Sequence, residues 1–123
     1  MTRLLVVDDE LSILEALQDI LSLEGYEVVT AYNGVEGLRR IGEQRPDLVL
    51  LDLMMPVMDG REMLRRVREN PALRDLPVVV MSAGRIADAE RRAASATLAK
   101  PFDLDHLLQT LAQQLRPKRR SDA

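Results

Sequence analysis

The sequence predicts an α/β fold built on a doubly wound, five-stranded parallel sheet with helices on both faces. Short apolar segments rich in β-branched residues alternate with segments of helical spacing, so the order β, α repeats five times. Near-continuous apolar strands joined by helices are typical of a parallel sheet, because right-handed crossovers cover both of its faces. The predicted strands are residues 4–7, 27–31, 48–51, 78–81 and 96–99.

Local signals in the first half of the chain support these boundaries. LLVV at 4–7 is followed by a helical pattern whose apolar positions are Leu11, Leu14, Leu17, Ile20 and Leu21. Gly25 ends that pattern, as glycine often does after a helix. The weaker strand EVVTA at 27–31 comes next, and Pro46 precedes the strand LVLL at 48–51.

The second half follows the same order. DGRE at 59–62 resembles a capping box with Asp59 as N-cap, which predicts that the third helix begins there. Pro77 precedes the strand VVVM at 78–81, and the weaker strand ATLA occupies 96–99. The last helix is predicted from the apolar spacing of Leu104, Leu107, Leu108, Leu111 and Leu115.

The composition predicts one domain with an aliphatic core. The chain has 123 residues, of which 46% are hydrophobic but only two are tyrosine and one is phenylalanine. The absence of cysteine excludes disulfides and thiolate metal sites, and we expect a cytoplasmic protein without a membrane segment. The net charge of −3 does not favour direct nucleic-acid binding by the domain.

The end of the chain is strongly basic. We expect the domain to span residues 1–116 and a basic tail or the start of a linker to span 117–123, with four basic residues between Arg116 and Arg120. The tail could contact an anionic partner, but a solvated end or linker is the favoured interpretation.

Polar residues follow the predicted strands at their carboxyl ends. Asp8 and Asp9 follow the first strand, Asp52 the third, Ser82 the fourth and Lys100 the fifth. The carboxyl ends of parallel strands share one edge of the sheet, where ligands bind in open α/β folds. Taken singly, each residue could cap a helix, begin a turn or lie on the surface, but together they predict a site.

Three clustered acids need a compensating cation. Carboxylates about 4 Å apart repel by roughly 4 kcal/mol at an effective dielectric of about 20. Magnesium is the natural ion, since it prefers oxygen ligands and is commonly shared between carboxylates and a phosphate. Asp52 is then a suitable nucleophile for phosphoryl chemistry, with Lys100 and Ser82 as partners for phosphoryl oxygens. The sequence has no GxxxxGK[ST] or GxGxxG motif, so no nucleotide cradle is predicted.

Four motifs in this order resemble the receiver (CheY-like) domain of two-component response regulators. They are LLVVDDE, LLDLMMPVMDG, VVVMSA and LAKPF, and together the likeness covers nearly the whole chain. The resemblance implies a flavodoxin-like fold, a cis peptide between Lys100 and Pro101, and phosphorylation of Asp52 by a sensor histidine kinase or histidine phosphotransfer protein.

The resemblance also implies the roles of the site residues. Asp9 and Asp52 would bind Mg²⁺ directly, with Asp8 acting largely through water and the backbone carbonyl of Met54 as a further ligand. Ser82 would be the switch hydroxyl, and Lys100 would contact the phosphoryl group. An output domain or target protein, and a dimer on activation, are the further partners that the resemblance implies.

The sequence departs from the family in two places. Ser82 and Lys100 are 18 residues apart, about four fewer than is usual, which predicts a short and loosely held fourth helix of roughly eight residues. Ile86 is the only large apolar anchor in that segment. Thr97 replaces the usual aromatic residue, so a rotating ring cannot transmit the signal, and the output surface is expected around helix 4, strand 5 and helix 5.

Three functions remain open at this point. The leading hypothesis is a phosphorylation-controlled switch, not an enzyme acting on other substrates. The second is a pseudo-receiver that binds partners without being phosphorylated, which Thr97 and the short helix leave open. The third, a DxDxT phosphatase, is disfavoured because Met54 stands two residues after Asp52, where that motif needs an acid. His106, the one histidine, is expected on the surface.

Overall fold

Five strands alternate with five helices in residues 1–55 and 57–115, the part of the chain that the computed structural model describes. The strands are β1 (Arg3–Val7), β2 (Glu27–Ala31), β3 (Leu48–Asp52), β4 (Val78–Ser82) and β5 (Ala96–Ala99). The helices are α1 (Leu11–Leu23), α2 (Gly34–Glu43), α3 (Gly60–Glu69), α4 (Asp88–Ala93) and α5 (Leu104–Leu115). This order confirms the predicted fold, and a 3-10 turn at Pro71–Leu73 is an addition to it.

The strands form one parallel sheet in the order β2-β1-β3-β4-β5, which is the flavodoxin-like order. Val7 at the end of β1 pairs with Ala31 of β2 and Leu51 of β3. Across the other half of the sheet, Asp52 pairs with Met81. All five strands therefore end at one edge, and the loops that follow them surround a common site.

The sheet separates two aliphatic core layers, because alternate residues of each strand point to opposite faces. One layer packs Leu5, Val7, Val49, Leu51, Val78 and Val80 against residues of α2 and α3. The other packs Leu4, Val6, Leu48, Leu50, Val79, Met81 and Leu98 against α1 and α5. Strands that are apolar at every position are therefore buried on both sides, as the sequence predicted.

Helix boundaries follow the predicted signals with one exception. Gly25 after α1 has φ +94°, a left-handed conformation that glycine adopts without a steric penalty. Asp59 caps α3, its side chain accepting a hydrogen bond from the backbone N–H of Glu62 at 3.0 Å. The Glu62 carboxylate does not complete the capping box and instead accepts hydrogen bonds from Arg65 and Arg66.

Helix α4 is six residues long, which confirms the predicted shortening. Ile86 lies before the helix and is partly buried against the core. Two arginines of α3 hold α4 through polar contacts: Arg61 pairs with Glu90, and Arg68 donates a hydrogen bond to the Ala93 carbonyl at 2.7 Å. The loose attachment of α4 stays a prediction.

The predicted basic tail, together with Arg116, lies outside the described residues. Within residues 1–55 and 57–115, none of the helices combines the length and the apolar character that crossing a membrane requires.

Candidate functional site

Three aspartates meet at the carboxyl edge of the sheet. Asp8 and Asp9 follow β1, and Asp52 is the last residue of the neighbouring β3. One carboxylate oxygen from each aspartate lies within 4.8 Å of the others. Asp8 and Asp52 are buried whereas Asp9 is exposed, so the cluster opens to solvent on the Asp9 side.

Asp8 is held rigidly because its backbone and carboxylate are both bonded. Its N–H donates to the Ala31 carbonyl at 3.1 Å, which continues the β1–β2 ladder. Its Oδ1 accepts from the Glu10 N–H at 2.9 Å, and its Oδ2 accepts from Lys100 Nζ at 2.9 Å. The residue is completely shielded from solvent, so its charge depends on these contacts.

Asp52 is held less tightly than Asp8. Its Oδ1 accepts a long 3.4 Å hydrogen bond from the Met54 N–H and lies 3.5 Å from Lys100 Nζ. Burial, followed by the negative charge of Asp8, raises the pKa of Asp52 above its ordinary value, and the opposing effect of Lys100 does not cancel them. A further cation at this carboxylate would therefore be strongly favoured.

Lys100 brings a positive charge to the cluster from the loop after β5. Its backbone N–H donates to the Ser82 carbonyl at 2.9 Å, and the Lys100–Pro101 peptide is cis. Burial lowers the pKa of Lys100, but the hydrogen bond and charge of Asp8, together with Asp52, outweigh burial and raise it overall. The side chain thus remains an ammonium ion between two acids.

Ser82 ends β4, one residue beyond the Met81 that pairs with Asp52. The side chain is buried, and its Oγ accepts a hydrogen bond from the Gly84 N–H at 3.1 Å. A serine hydroxyl is also a donor, so its proton can serve an acceptor placed beside the strand ends. The Gly84 contact ties this hydroxyl to the segment that leads into α4.

The loop after β3 brings Met54 and Arg61 to the same side of the site. Met54 is 58% exposed, and its Sδ lies 3.6 Å from Arg61 Nη1. Both residues line an open cavity of about 310 Å³, together with Asp9, Leu53, Met55 and Asp59. Val57 in this loop has φ +67°, a strained conformation for a β-branched residue.

Gly60 is a site residue that sequence reasoning missed. A Cβ at this position would lie 2.2 Å from the Asp52 carbonyl oxygen and 2.6 Å from Leu53 Cα. Only glycine therefore allows the start of α3 to approach the end of β3 this closely. The Asp59-Gly60 pair is the signal in the sequence, and it predicts the helix cap but not this close approach.

The donor set fits a divalent cation. Three carboxylates converge, two of them buried, and oxygen ligands of this kind suit Mg²⁺. Burial, followed by the negative charge of Asp8, raises the pKa of Asp52, and a cation bound at this carboxylate would oppose both effects.

Two residues discussed from the sequence lie away from the acids. Thr97 is half-buried on β5, and its hydroxyl lies 3.4 Å from Arg91 Nη1 of α4. His106 is exposed on α5, and its backbone N–H donates to Asp103 Oδ1. Neither side chain is part of the cluster around Asp52.

Comparison with known proteins assigns the family. A family model described as the response regulator receiver domain matches residues 4–112. Response regulator MprA from Mycobacterium bovis (strain BCG / Pasteur 1173P2) is 42% identical over 126 residues, which cover 98% of this chain and 54% of that protein. The chain thus spans about half the length of the curated relatives it matches.

Solved structures agree with this assignment. Response regulator TrrA from Thermotoga maritima, in complex with Mg²⁺-BeF, superposes with a TM-score of 0.85 at 35% identity, covering 93% of this chain and 99% of that one. Chemotaxis protein CheY4 from Vibrio cholerae gives 0.85 at 34% identity, covering 92% and 98%. The chain belongs to the response regulator receiver domain family.

Proposed function

We propose that this receiver domain is a phosphorylation-controlled switch in which Asp52 accepts a phosphoryl group from a sensor histidine kinase or histidine phosphotransfer protein. The observation that carries the proposal is a buried, poorly neutralised Asp52 beside two further acids and one ammonium group. A bound cation stabilises such a carboxylate more than it stabilises a solvated surface acid, and the same cation can then offset the charge of a phosphoryl group.

Mg²⁺ is the cation that fits this site. Asp9, Asp52 and the Met54 carbonyl would hold it directly, and Asp8 would act largely through water. When bound, it offsets the repulsion among the acids and the charge of the phosphoryl oxygens. The similar receiver TrrA, solved with Mg²⁺-BeF, supports the same ion here.

The residues of this chain would then divide the transfer among them. An Asp52 carboxylate oxygen forms a bond to phosphorus while the P–N bond of the donor phosphohistidine breaks, and the electron pair of that bond returns to the imidazole nitrogen. Lys100, already 3.5 Å from Asp52 Oδ1, pairs with one phosphoryl oxygen, and the Ser82 hydroxyl donates to another. Attack by water on phosphorus later restores the carboxylate and releases phosphate.

The response would reach an output domain or a separate target protein through the face formed by α4, β5 and α5. Ser82 supports this direction, because its hydroxyl is bonded to Gly84 in the segment that leads to α4. The MprA relatives are about twice as long as this chain, which supports an output domain in the same polypeptide. A second copy of this chain is a further candidate partner, which would give a dimer on activation.

The test is intact mass after incubation with acetyl phosphate, with and without Mg²⁺. Wild type is expected to gain one phosphoryl group only when Mg²⁺ is present, and Asp52→Asn is expected to gain none. Asp19→Asn is the matched control, since Asp19 is an exposed aspartate of α1 outside the cluster, and it should be labelled like wild type.

Two results would contradict phosphorylation of Asp52. Labelling of Asp52→Asn to the wild-type level would place the acceptor elsewhere. A wild-type protein that binds Mg²⁺ but is never labelled would instead be a pseudo-receiver that acts through partner contacts alone.

A further inference from the structure

An ion pair between α3 and α4 includes an arginine that lines the same open cavity as Asp9. Arg61 Nε donates to Glu90 Oε2 at 2.8 Å, and the Arg61 and Glu90 side chains are 40% and 15% exposed. The other carboxylate oxygen of Glu90 accepts from the Ala87 N–H at 3.0 Å. Ala87 has no side-chain acceptor, so Glu90 is the side chain that caps the start of α4.

The same arginine also faces the loop that follows Asp52. Arg61 Nη1 contacts Met54 Sδ at 3.6 Å, and the Met54 N–H donates to Asp52 Oδ1. Arg61 shares the open cavity beside the acid cluster with Asp9. The guanidinium therefore has anionic groups on two sides: the Glu90 carboxylate, which it contacts, and the acid cluster, whose Asp9 lines the same cavity.

We propose that Arg61 is a second cationic side chain, beside Lys100, for the phosphoryl group on Asp52, and that Glu90 of α4 competes for it. The proposal rests on the proposed function and adds a residue to it. Phosphorylation brings further negative charge to Asp52, which draws the guanidinium away from Glu90. The loss of Arg61 as a partner of Glu90 weakens the attachment of α4. This exchange of ion-pair partners transmits the signal in place of the aromatic ring that the family usually carries at the position of Thr97.

The expected size of the effect is modest. The ion pair is partly exposed, and pairs of this kind contribute about 0.4–1 kcal/mol, which corresponds to about two- to fivefold in an equilibrium constant. Coupling between sites is reciprocal, so the same factor must appear when the affinity of the phosphoryl site is measured.

The experiment measures the dissociation constant of beryllium fluoride, a phosphoryl substitute, in saturating Mg²⁺ by calorimetry. It compares wild type with Glu90→Gln, Arg61→Gln and the double variant. Glutamine at 90 keeps an oxygen for the Ala87 N–H while removing the charge that pairs with Arg61. Glu69→Gln is the matched control, because Glu69 pairs with Arg65 on α3 in an exposed ion pair of the same type.

We expect Glu90→Gln to bind beryllium fluoride about two- to fivefold more tightly, because Arg61 is released. Arg61→Gln should bind more weakly by a similar factor, and the double variant should match Arg61→Gln. Hydrogen exchange over residues 86–95 should increase on loading in wild type and stay unchanged in both single variants. Loss of helix stability alone would not produce opposite affinity changes from the two partners.

Three results would overturn the proposal. Unchanged affinities, shifts of the same sign in both single variants, or a further gain from Glu90→Gln in the Arg61→Gln background would each exclude competition for the guanidinium. In all three, wild type still binds, so the proposed function stands. If wild type shows no Mg²⁺-dependent binding at all, the proposed function fails and the role of Arg61 fails with it.

Discussion

Lys100 Nζ lies 2.9 Å from Asp8 Oδ2 and 3.5 Å from Asp52 Oδ1, and so links the ends of the first, third and fifth strands. The Lys100 side chain is 15% exposed and Asp8 is fully shielded, so water cannot reach the Asp8 carboxylate to replace its partner. This arrangement leaves one ammonium group to neutralise two buried acids. It explains why the pKa of Asp52 stays raised despite a cation nearby.

Lys100→Ala is expected to destabilise the fold by about 3 kcal/mol, because it leaves the Asp8 charge buried without its partner. Saturating Mg²⁺ should restore part of this loss. We also expect phosphorylation to continue but the conformational response to weaken. Urea unfolding with and without Mg²⁺ measures the first effect, and Arg39→Ala, which breaks an exposed pair with Glu36, is the control. Equal losses in the two variants would contradict the assigned role of Lys100.

Asp9→Ala should lower the affinity for Mg²⁺ by about tenfold or more, since the loss of an outer-shell partner alone typically costs 10- to 100-fold. Because Asp9 is exposed, stability without Mg²⁺ should change little. Calorimetric titration with Mg²⁺ provides the measurement. Glu10→Gln neutralises the next acid along the chain, which is outside the cluster, and should bind the ion like wild type.

Gly60→Ala should destabilise the protein by at least about 1–3 kcal/mol, because the new Cβ would overlap the Asp52 carbonyl oxygen. The three nearest atoms all belong to the backbone of Asp52 and Leu53, so no flexible side chain can move away to make room. Gly42→Ala is the matched control, since no atom lies within 4 Å of its Cβ position and alanine favours helix. In thermal unfolding, we therefore expect the Tm of Gly60→Ala to fall below that of wild type and the Tm of Gly42→Ala to rise above it.

The stability of the fold is expected to decrease at low pH because of Glu62. Hydrogen bonds from Arg65 and Arg66 lower the pKa of Glu62 from 4.5 to about 2. The lowered pKa stabilises the fold above pH 4.5, and this contribution is lost as the pH falls toward about 2. Glu62→Gln should therefore unfold at a lower temperature than wild type at pH 7, with a difference that narrows toward pH 3. A difference independent of pH would exclude the ion pairs as its source.

Helix α4 should exchange its amide hydrogens faster than α3 in the unphosphorylated protein. It has six residues, and its polar attachments include Arg61 and Arg68 of α3. Short helices gain little from their own hydrogen bonds, so local opening costs less than global unfolding. Exchange followed by mass spectrometry compares residues 86–95 with residues 60–69, and slow exchange in both would contradict the prediction.

The elements could be predicted because each strand is apolar at successive positions and each connection has helical spacing. The same pattern placed Asp8, Asp9, Asp52, Ser82 and Lys100 at strand ends, where parallel topology brings them to one edge. The short α4 was predictable from the distance between Ser82 and Lys100, because loops and strand use most of those residues.

Arg61 could not be predicted from the pattern. In the sequence it is one of several arginines in GREMLRRVRE, and nothing local distinguishes it from Arg65 or Arg66. Only the packing of α3 against α4 and the loop after Asp52 places it beside both Met54 and Glu90. The role of Gly60 likewise depends on how closely α3 approaches β3.

The parallel sheet and the residues at its carboxyl edge follow from the sequence alone, because apolar periodicity and the alternation of strand and helix are local patterns repeated along the chain. Packing in three dimensions sets which acid Lys100 binds more closely, how far Asp52 is neutralised, and which arginine faces the site. These depend on distances between side chains that are far apart in sequence, 92 residues for Lys100 and Asp8. Charge interactions vary with such distances and with burial, which no local pattern records.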